Sequence, residues 1–187
     1  GPLILVGNSM GGTIVLKAAL DRPDLTSALV LMGPGGVEDF ETYMQTEGNV
    51  LLRSIAMAPD VMPASRLRDL LLLQVHDPAH LTEETLAERV EIMETQPKAV
   101  FERMSGLNLA DRLEELQCPI LGFWGAQDRF NPAQGAFKFL QAVADARFTI
   151  LSNCGHWVMV ERAELFNRML VDFVREINAL HQGERRG

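Results

Sequence analysis

The chain opens GPLILVGNSMGG, and this stretch constrains the fold more than any other. Leu3, Ile4, Leu5 and Val6 form a short unbroken apolar run that stops at Gly7. An apolar run bounded by a glycine turn fits a strand buried on both faces. From Gly12 to Arg22 the residues Ile14, Val15, Ala18 and Ala19 recur at helical spacing, and Pro23 ends the run. Ala28 to Met32 is a second buried strand, closed by Gly33-Pro34-Gly35-Gly36. Strand, helix and strand with short turns make a βαβ unit. That unit requires a parallel sheet with a right-handed crossover. The fold class is therefore α/β.

Beyond Gly36 the pattern changes. From Val37 to Asn108 strand-like runs vanish, and Met44, Met57, Met62, Met93 and Met104 are scattered among helical patterns. This region reads as a helical insertion. One helix in it is sharply marked. Thr82 can cap it, Glu83 and Glu84 suit its positive N-terminal end, and Pro97 lies past its end. After Asp111 the α/β rhythm returns. Ile120 to Trp124 reads as a strand, Pro132 to Val143 as a helix begun by Asn131-Pro132, and Arg147 to Leu151 as a strand. Glu161 to Leu180 closes the chain as an amphipathic helix, with Leu165, Phe166, Met169, Leu170, Phe173 and Ile177 on its buried side. The expected organisation is core over 1–36, helical insertion over 37–108 and core again over 109–187.

Composition excludes several classes. With 187 residues, 47% hydrophobic and 22% charged, the chain is globular rather than disordered. A net charge of −8 with no Lys/Arg block argues against a nucleic-acid partner. No apolar stretch reaches the roughly 18 residues of a membrane span, so no membrane role is expected. Two cysteines, Cys118 and Cys154, are too few for a disulfide scaffold and are not spaced as zinc ligands. A reducing, cytoplasmic setting fits them. Apolar helical faces leave a homo-oligomer open.

Gly7-Asn8-Ser9-Met10-Gly11 is a G-x-S-x-G pattern with a strand before it and a helix after it. Side chains at the two glycines are expected to collide across such a turn. The helix then begins behind the hydroxyl, and the Met10 N–H is a candidate oxyanion donor. A nucleophilic serine needs a base and an orienting acid, expected in the chain order Ser, acid, His. Of the four histidines, His181 lies in the tail, and His76 and His80 lie in the insertion. His156 follows a predicted strand in Asn153-Cys154-Gly155-His156-Trp157, where active-site groups gather in open α/β sheets. It is the candidate base. Asp128, just after the strand ending at Trp124, is the candidate acid. Its competitors are Asp111, which reads as a helix cap, and Asp145, which sits in a turn. Cys154, two residues before His156, reads as a packing residue rather than a second nucleophile.

These motifs resemble the α/β-hydrolase superfamily. Within it, LVGNSMGG, LVLMGPGGV, LTEETLAERVEIMETQP, WGAQDRFNP and LSNCGHWVMVERAELFNRMLVDF resemble the meta-cleavage product hydrolases, which cut carbon–carbon bonds in ring-cleavage products of aromatic degradation. The resemblance runs along nearly all of the chain. It implies the C-terminal part of an α/β-hydrolase fold, with a mostly parallel sheet and an inserted helical cap. It also implies a small dienoate-type substrate, water as co-substrate and no cofactor or metal. Asn8 before the nucleophile and Trp157 after the histidine match the family. Arg89 falls in the cap helix whose arginine holds the substrate carboxylate, so Asn8, Arg89 and Trp157 become candidate substrate-binding residues. On its helix Arg89 follows Leu86 by three and precedes Met93 by four, on the apolar side. There an arginine either snorkels to water or meets an anion. The chain departs from the family near Gln74 and Val75, where an aromatic residue is absent. It resembles a hydrolase shortened at the N-terminus, with the second oxyanion donor expected upstream of Gly1. A carboxylesterase or lactonase on the same triad, or an inactive fragment, is the alternative. Ser9 at the elbow argues against dehalogenase and epoxide hydrolase chemistry, which use an aspartate there.

Overall fold

The computed structural model describes residues 2–57, 64–97 and 107–184. Met62 and Met104 lie outside the described residues. Four parallel strands, β1 (Leu3–Asn8), β2 (Thr26–Met32), β3 (Ile120–Gly125) and β4 (Ala146–Leu151), form one sheet in the order β1-β2-β3-β4. The register pairs Val30 with both Val6 and Leu121, and Leu121 with Arg147. Every residue of β2 and of β3 is buried, as expected of parallel strands covered on both faces.

Side-chain alternation divides the core into two layers. Leu29, Leu31, Ile120 and Trp124 face helix α1 (Met10–Asp21) and a later helix, packing with Leu16, Leu20 and Phe139. Ala28, Val30, Met32, Leu121 and Phe123 face the other way, onto Phe166, Phe173 and Ile177 of the closing helix. Trp124, fully buried, also donates from its indole to the Asn131 carbonyl at 2.8 Å. Truncating such a side chain costs about 3–5 kcal/mol.

Between β2 and β3 the described residues are helical. They contain α2 (Phe40–Tyr43), α3 (Glu47–Ala56), α4 (Ala64–Leu72) and α5 (Glu83–Glu94), with a short 3-10 turn at Pro78–His80. The Thr82 hydroxyl accepts from the Thr85 N–H at 3.1 Å, and Glu83 and Glu84 occupy the first turn of α5, as the sequence predicts. This insertion has apolar clusters of its own. One joins Ile55, Leu70 and Leu73 to Phe130, and the other joins Leu71, Val75, Leu81 and Leu86 to Trp157. Each cluster borrows one aromatic residue from a loop at the end of the sheet.

Several expected boundaries shift. Helix α6 spans Gly135–Ala142, because Pro132 to Gln134 form separate turns, with Gly135 N–H bonded to the Pro132 carbonyl at 3.0 Å. The closing helix is preceded by the short α7 (Val158–Glu161) and itself runs as α8 (Ala163–Glu184), with a non-helical turn residue, Arg162 at φ −130° and ψ 39°, between them. Asp111 does not cap a helix. It lies inside a 3-10 turn (Ala110–Glu115), and the Asn108 side chain accepts from the Ala110 N–H instead. Among the described residues strand β1 hydrogen-bonds to β2 alone, and Leu3, Val6, Met10 and Ile14 beside that edge are exposed. Among the described residues no helix is long and apolar enough to cross a membrane.

Candidate active site

The sheet delivers Ser9, Asp128 and His156 to one end. Ser9 follows β1, Asp128 lies three residues past β3 and His156 five past β4, each beyond the carboxyl end of its strand. Ligand sites of open α/β sheets lie outside these ends.

Ser9 is held at φ 53° and ψ −119°, between strand and helix. A non-glycine residue in the left-handed region costs on the order of 1–3 kcal/mol, so the surrounding structure must enforce it. Here the Ser9 N–H bonds to Met32 O at 3.1 Å, and the Ser9 carbonyl accepts from Thr13 and Gly35. The glycine expectation is half corrected. A Cβ on Gly7 would lie 2.4 Å from the Gly11 carbonyl oxygen, whereas a Cβ on Gly11 would meet nothing within 4 Å. The second obligatory glycine is Gly12, whose Cβ would come within 2.7 Å of the Pro34 Cβ. The elbow is therefore tight against its own helix at Gly7 and against the loop after β2 at Gly12. The Met10 N–H, at the first position of α1, has no acceptor within its helix.

Asp128 and His156 form a buried pair. The His156 Nδ1 lies 2.7 Å from Asp128 Oδ2, with both side chains at most 2% exposed. The other carboxylate oxygen accepts from the Phe130 N–H at 2.8 Å and the Asn131 N–H at 2.9 Å. A carboxylate oxygen facing Nδ1 accepts its proton, which leaves Nε2 as the ring nitrogen directed away from Asp128. The Phe130 ring lies against the imidazole, centroids 5.0 Å apart. Asn131, also buried, donates to the Gly33 carbonyl at 2.7 Å and so fixes the acid loop to the end of β2. The Ser9 hydroxyl makes no hydrogen bond among the described residues; nucleophile–base contacts in substrate-free enzymes are often long.

The substrate-binding candidates are placed differently from one another. The Asn8 amide donates to Met32 O at 3.0 Å and to His156 O at 3.4 Å, tying the elbow to the histidine loop. Trp157 packs against the apolar cluster of α4 and α5. Arg89, exposed on α5, sets its guanidinium over the Trp157 ring at 5.8 Å from the centroid. Cys154 is fully buried, and its thiol is pushed up to about 12, by burial first and then by the Glu161 carboxylate. It is therefore a packing residue and not a thiolate. Among the described residues no group of three or more His, Cys, Asp or Glu side chains is arranged to hold a metal ion. A cavity of about 420 Å³ lies beside this site, lined by His76, Asp77, Pro78, His80, Asn153 and Arg162. Its lining does not include Ser9 or His156, so it backs the histidine loop and is no guide to the reacting centre.

Sequence reasoning passes over Phe130, Asn131 and Glu161. Asn131 reads in sequence only as a helix-entry residue beside Pro132. The Phe130 contact with His156 spans 26 positions and carries no local signal.

A strained serine between strand and helix, with an acid–histidine pair on the third and fourth strands of a parallel sheet, is the arrangement of an α/β-hydrolase. The chain belongs to that fold's Hydrolase_4 family, described as serine aminopeptidase, S33, which it matches over residues 1–163. It is 34% identical over 181 residues to a 2-hydroxy-6-oxo-6-phenylhexa-2,4-dienoate hydrolase of Comamonas testosteroni, covering 92% of this chain and 62% of that protein. Among solved structures it is similar to the meta-cleavage product hydrolase of Pseudomonas fluorescens IP01, at 25% identity and TM-score 0.77, covering 94% of this chain and 65% of that one. It is also similar to the 2-hydroxy-6-oxo-6-phenylhexa-2,4-dienoate hydrolase of Rhodococcus sp. strain RHA1, at 28% identity and TM-score 0.77, covering 91% and 63%. The chain thus spans about 62% of the length of the curated relatives it matches.

Proposed function

We propose that the protein carrying this chain hydrolyses a carbon–carbon bond in 2-hydroxy-6-oxo-dienoate compounds, with Ser9, His156 and Asp128 as nucleophile, base and orienting acid. The observation that carries the reading is the buried Asp128–His156 pair at 2.7 Å, at the same sheet end as the strained Ser9 turn. The substrate class follows from relatives that are dienoate hydrolases at 34% identity.

The geometry suits the chemistry. Asp128 accepts from Nδ1–H, so the free Nε2 is the base for Ser9 or for the attacking water. Charge that develops on the substrate's 6-oxo oxygen faces the Met10 N–H. The dienol is first ketonised, which creates an electron sink. Addition at C6 then lets the C5–C6 bond break, and its electron pair passes into the dienolate. The products are a carboxylic acid and a 2-hydroxydienoate. Acylation of Ser9 and direct hydration of the ketone both satisfy this balance. Arg89 holds the carboxylate end of the substrate, Trp157 shapes the wall beside it, and Asn8 steadies the histidine loop. The helical insertion over 37–108 acts as the cap above this site. A cytoplasmic setting belongs to the same reading, since Cys118 and Cys154 are both free.

The test is the decay of the yellow dienoate chromophore with the full-length protein and its Ser9→Ala and Arg89→Ala variants. The reading expects wild-type turnover, near abolition in the first variant and a raised KM in the second. A protein inert to every dienoate but active on simple esters refutes it.

A further inference from the structure

Glu161 ends α7 with a side chain that has no place in the triad, yet it is 5% exposed. Buried carboxylates are costly unless hydrogen-bonded, so its partners explain its position. One oxygen accepts from the backbone N–H of His76 at 2.9 Å and of Asp77 at 3.1 Å, both in the helical insertion. The other accepts from the Gly155 N–H at 2.5 Å, the residue immediately before His156. A single carboxylate therefore joins the insertion to the histidine loop.

Two further contacts close the same joint. The Trp157 N–H donates to Gln74 O at 2.9 Å, so the residues on both sides of His156 are tied to the segment 74–77. Gly155 leaves no slack: a Cβ there would lie 2.7 Å from the His76 nitrogen and 2.8 Å from the Val75 carbonyl carbon. On the acid side the insertion repeats the arrangement. The Asn49 side chain donates to Phe130 O at 2.6 Å, and the Gly48 N–H donates to Arg129 O at 2.9 Å. The insertion thus holds both loops that carry the Asp128–His156 pair, through Asn49 and the Gly48 amide on the acid side and through Glu161 and the Gln74 carbonyl on the histidine side.

We propose that Glu161 is a positioning residue: it clamps the cap segment 76–77 to the Gly155–His156 backbone, so that seating of the cap sets the imidazole that serves Ser9. This rests on the hydrolase reading above, and it adds a residue that acts through His156 without touching substrate. Charge matters to the clamp. A carboxylate offers two acceptor oxygens, and three N–H groups use both. Glutamine keeps the shape but replaces one oxygen with a donor, so one arm must fail. Misplacement of a catalytic group by about 1 Å costs on the order of 10²-fold in rate.

The experiment is the rate of Ser9 phosphonylation by a fluorophosphonate in the full-length protein, compared with Glu161→Gln. This probe needs a working serine and histidine but no dienoate. Failure of the substrate assignment therefore leaves this test intact. The expected result is complete labelling at the end point, at a rate lowered on the order of 10-fold or more, with an altered pH profile of the labelling rate. A wild-type rate and profile overturn the proposal. So does a slow rate fully explained by a smaller labelled fraction, since that is a folding defect. If Glu161→Gln does not fold, amide hydrogen exchange in the wild-type protein decides. The amides of His76, Asp77 and Gly155 are expected to exchange slowly and to open together. Fast exchange at 76–77 beside a protected Gly155 overturns the clamp.

Discussion

Replacing Asp128 with asparagine isolates what the acid does, because the change alters hydrogen-bond character with almost no change of shape. In the wild-type protein Oδ1 accepts from two loop amides, Phe130 at 2.8 Å and Asn131 at 2.9 Å, and Oδ2 faces His156 Nδ1 at 2.7 Å. An asparagine has one oxygen for these two jobs. If its oxygen stays with the loop amides, its NH2 faces Nδ1, which must then accept. The proton moves to Nε2, and the imidazole is no longer a base toward Ser9. If the amide flips, the tautomer is rescued, but two N–H groups confront an NH2. Each buried unsatisfied donor costs about 1–3 kcal/mol, so the flipped form lies about 2–6 kcal/mol higher. At 1.36 kcal/mol per tenfold, the competent population falls roughly 30-fold to 10⁴-fold. Serine proteases lose about 10⁴-fold in kcat on the same change. We expect kcat of Asp128→Asn in the full-length protein to fall about 10³-fold on dienoate and on a p-nitrophenyl ester alike, with KM little changed. Ester hydrolysis at saturating substrate measures it, and the thermal midpoint checks the fold. A loss smaller than about tenfold, with the fold intact, refutes the assignment of Asp128 as the orienting acid.

Other expectations follow from separate contacts. Arg89→Ala should raise KM for dienoate while leaving ester kinetics unchanged, because only the dienoate offers a carboxylate; steady-state kinetics on both substrates reads this. Gly12→Ala should destabilise the fold through its 2.7 Å approach to Pro34, whereas Gly11→Ala, in open space within a helix, should be neutral or stabilising by up to about 1 kcal/mol. Thermal unfolding of the two variants side by side checks the reversal. Phe130→Ala removes a buried ring shared by His156 and the α3–α4 cluster, and should cost about 3–5 kcal/mol in chemical denaturation. For Cys154 the folded protein raises the thiol from its ordinary 9.0 to about 12. The native state therefore holds its proton more tightly than the unfolded chain. Its contribution is intact below pH 9.0 and is lost as pH rises toward about 12. A Cys154→Ala variant should lose less stability across that alkaline window, and native Cys154 should resist alkylation at neutral pH.

The legible parts of this molecule are those written locally. The apolar runs of β2 and β3, the glycine turn after β1 and the Thr82 cap each need only a few neighbouring residues to be recognised. The loops holding Asp128 and His156 are legible for the same reason, since each directly follows a strand. What escapes the sequence is distant contact. Gly12 is obligatory only because Pro34 packs on it, and Gly11 is free only because nothing does. The closing helix is expected from Glu161, but Glu161 belongs to the preceding short helix and the long one starts at Ala163, a break at Arg162 that the apolar spacing does not mark. In the sequence Glu161 is only the first residue of the expected closing helix. Its burial arises from amide groups 84 and 85 positions away. Arg89 is a middle case: its helix is evident from the capping residue, but its contact with Trp157 joins the insertion to the core.

Ser9, His156 and Asp128 are proposed to deliver water to the carbonyl carbon of a dienoate and so break the adjacent carbon–carbon bond. The most direct measurement is mass analysis of the products formed by the full-length protein in ¹⁸O-water. The expected products are a carboxylic acid carrying solvent oxygen and an equal amount of 2-hydroxydienoate, both absent with Ser9→Ala. Recovery of the dienoate with its carbon skeleton intact, from a preparation that splits simple esters, contradicts the proposal.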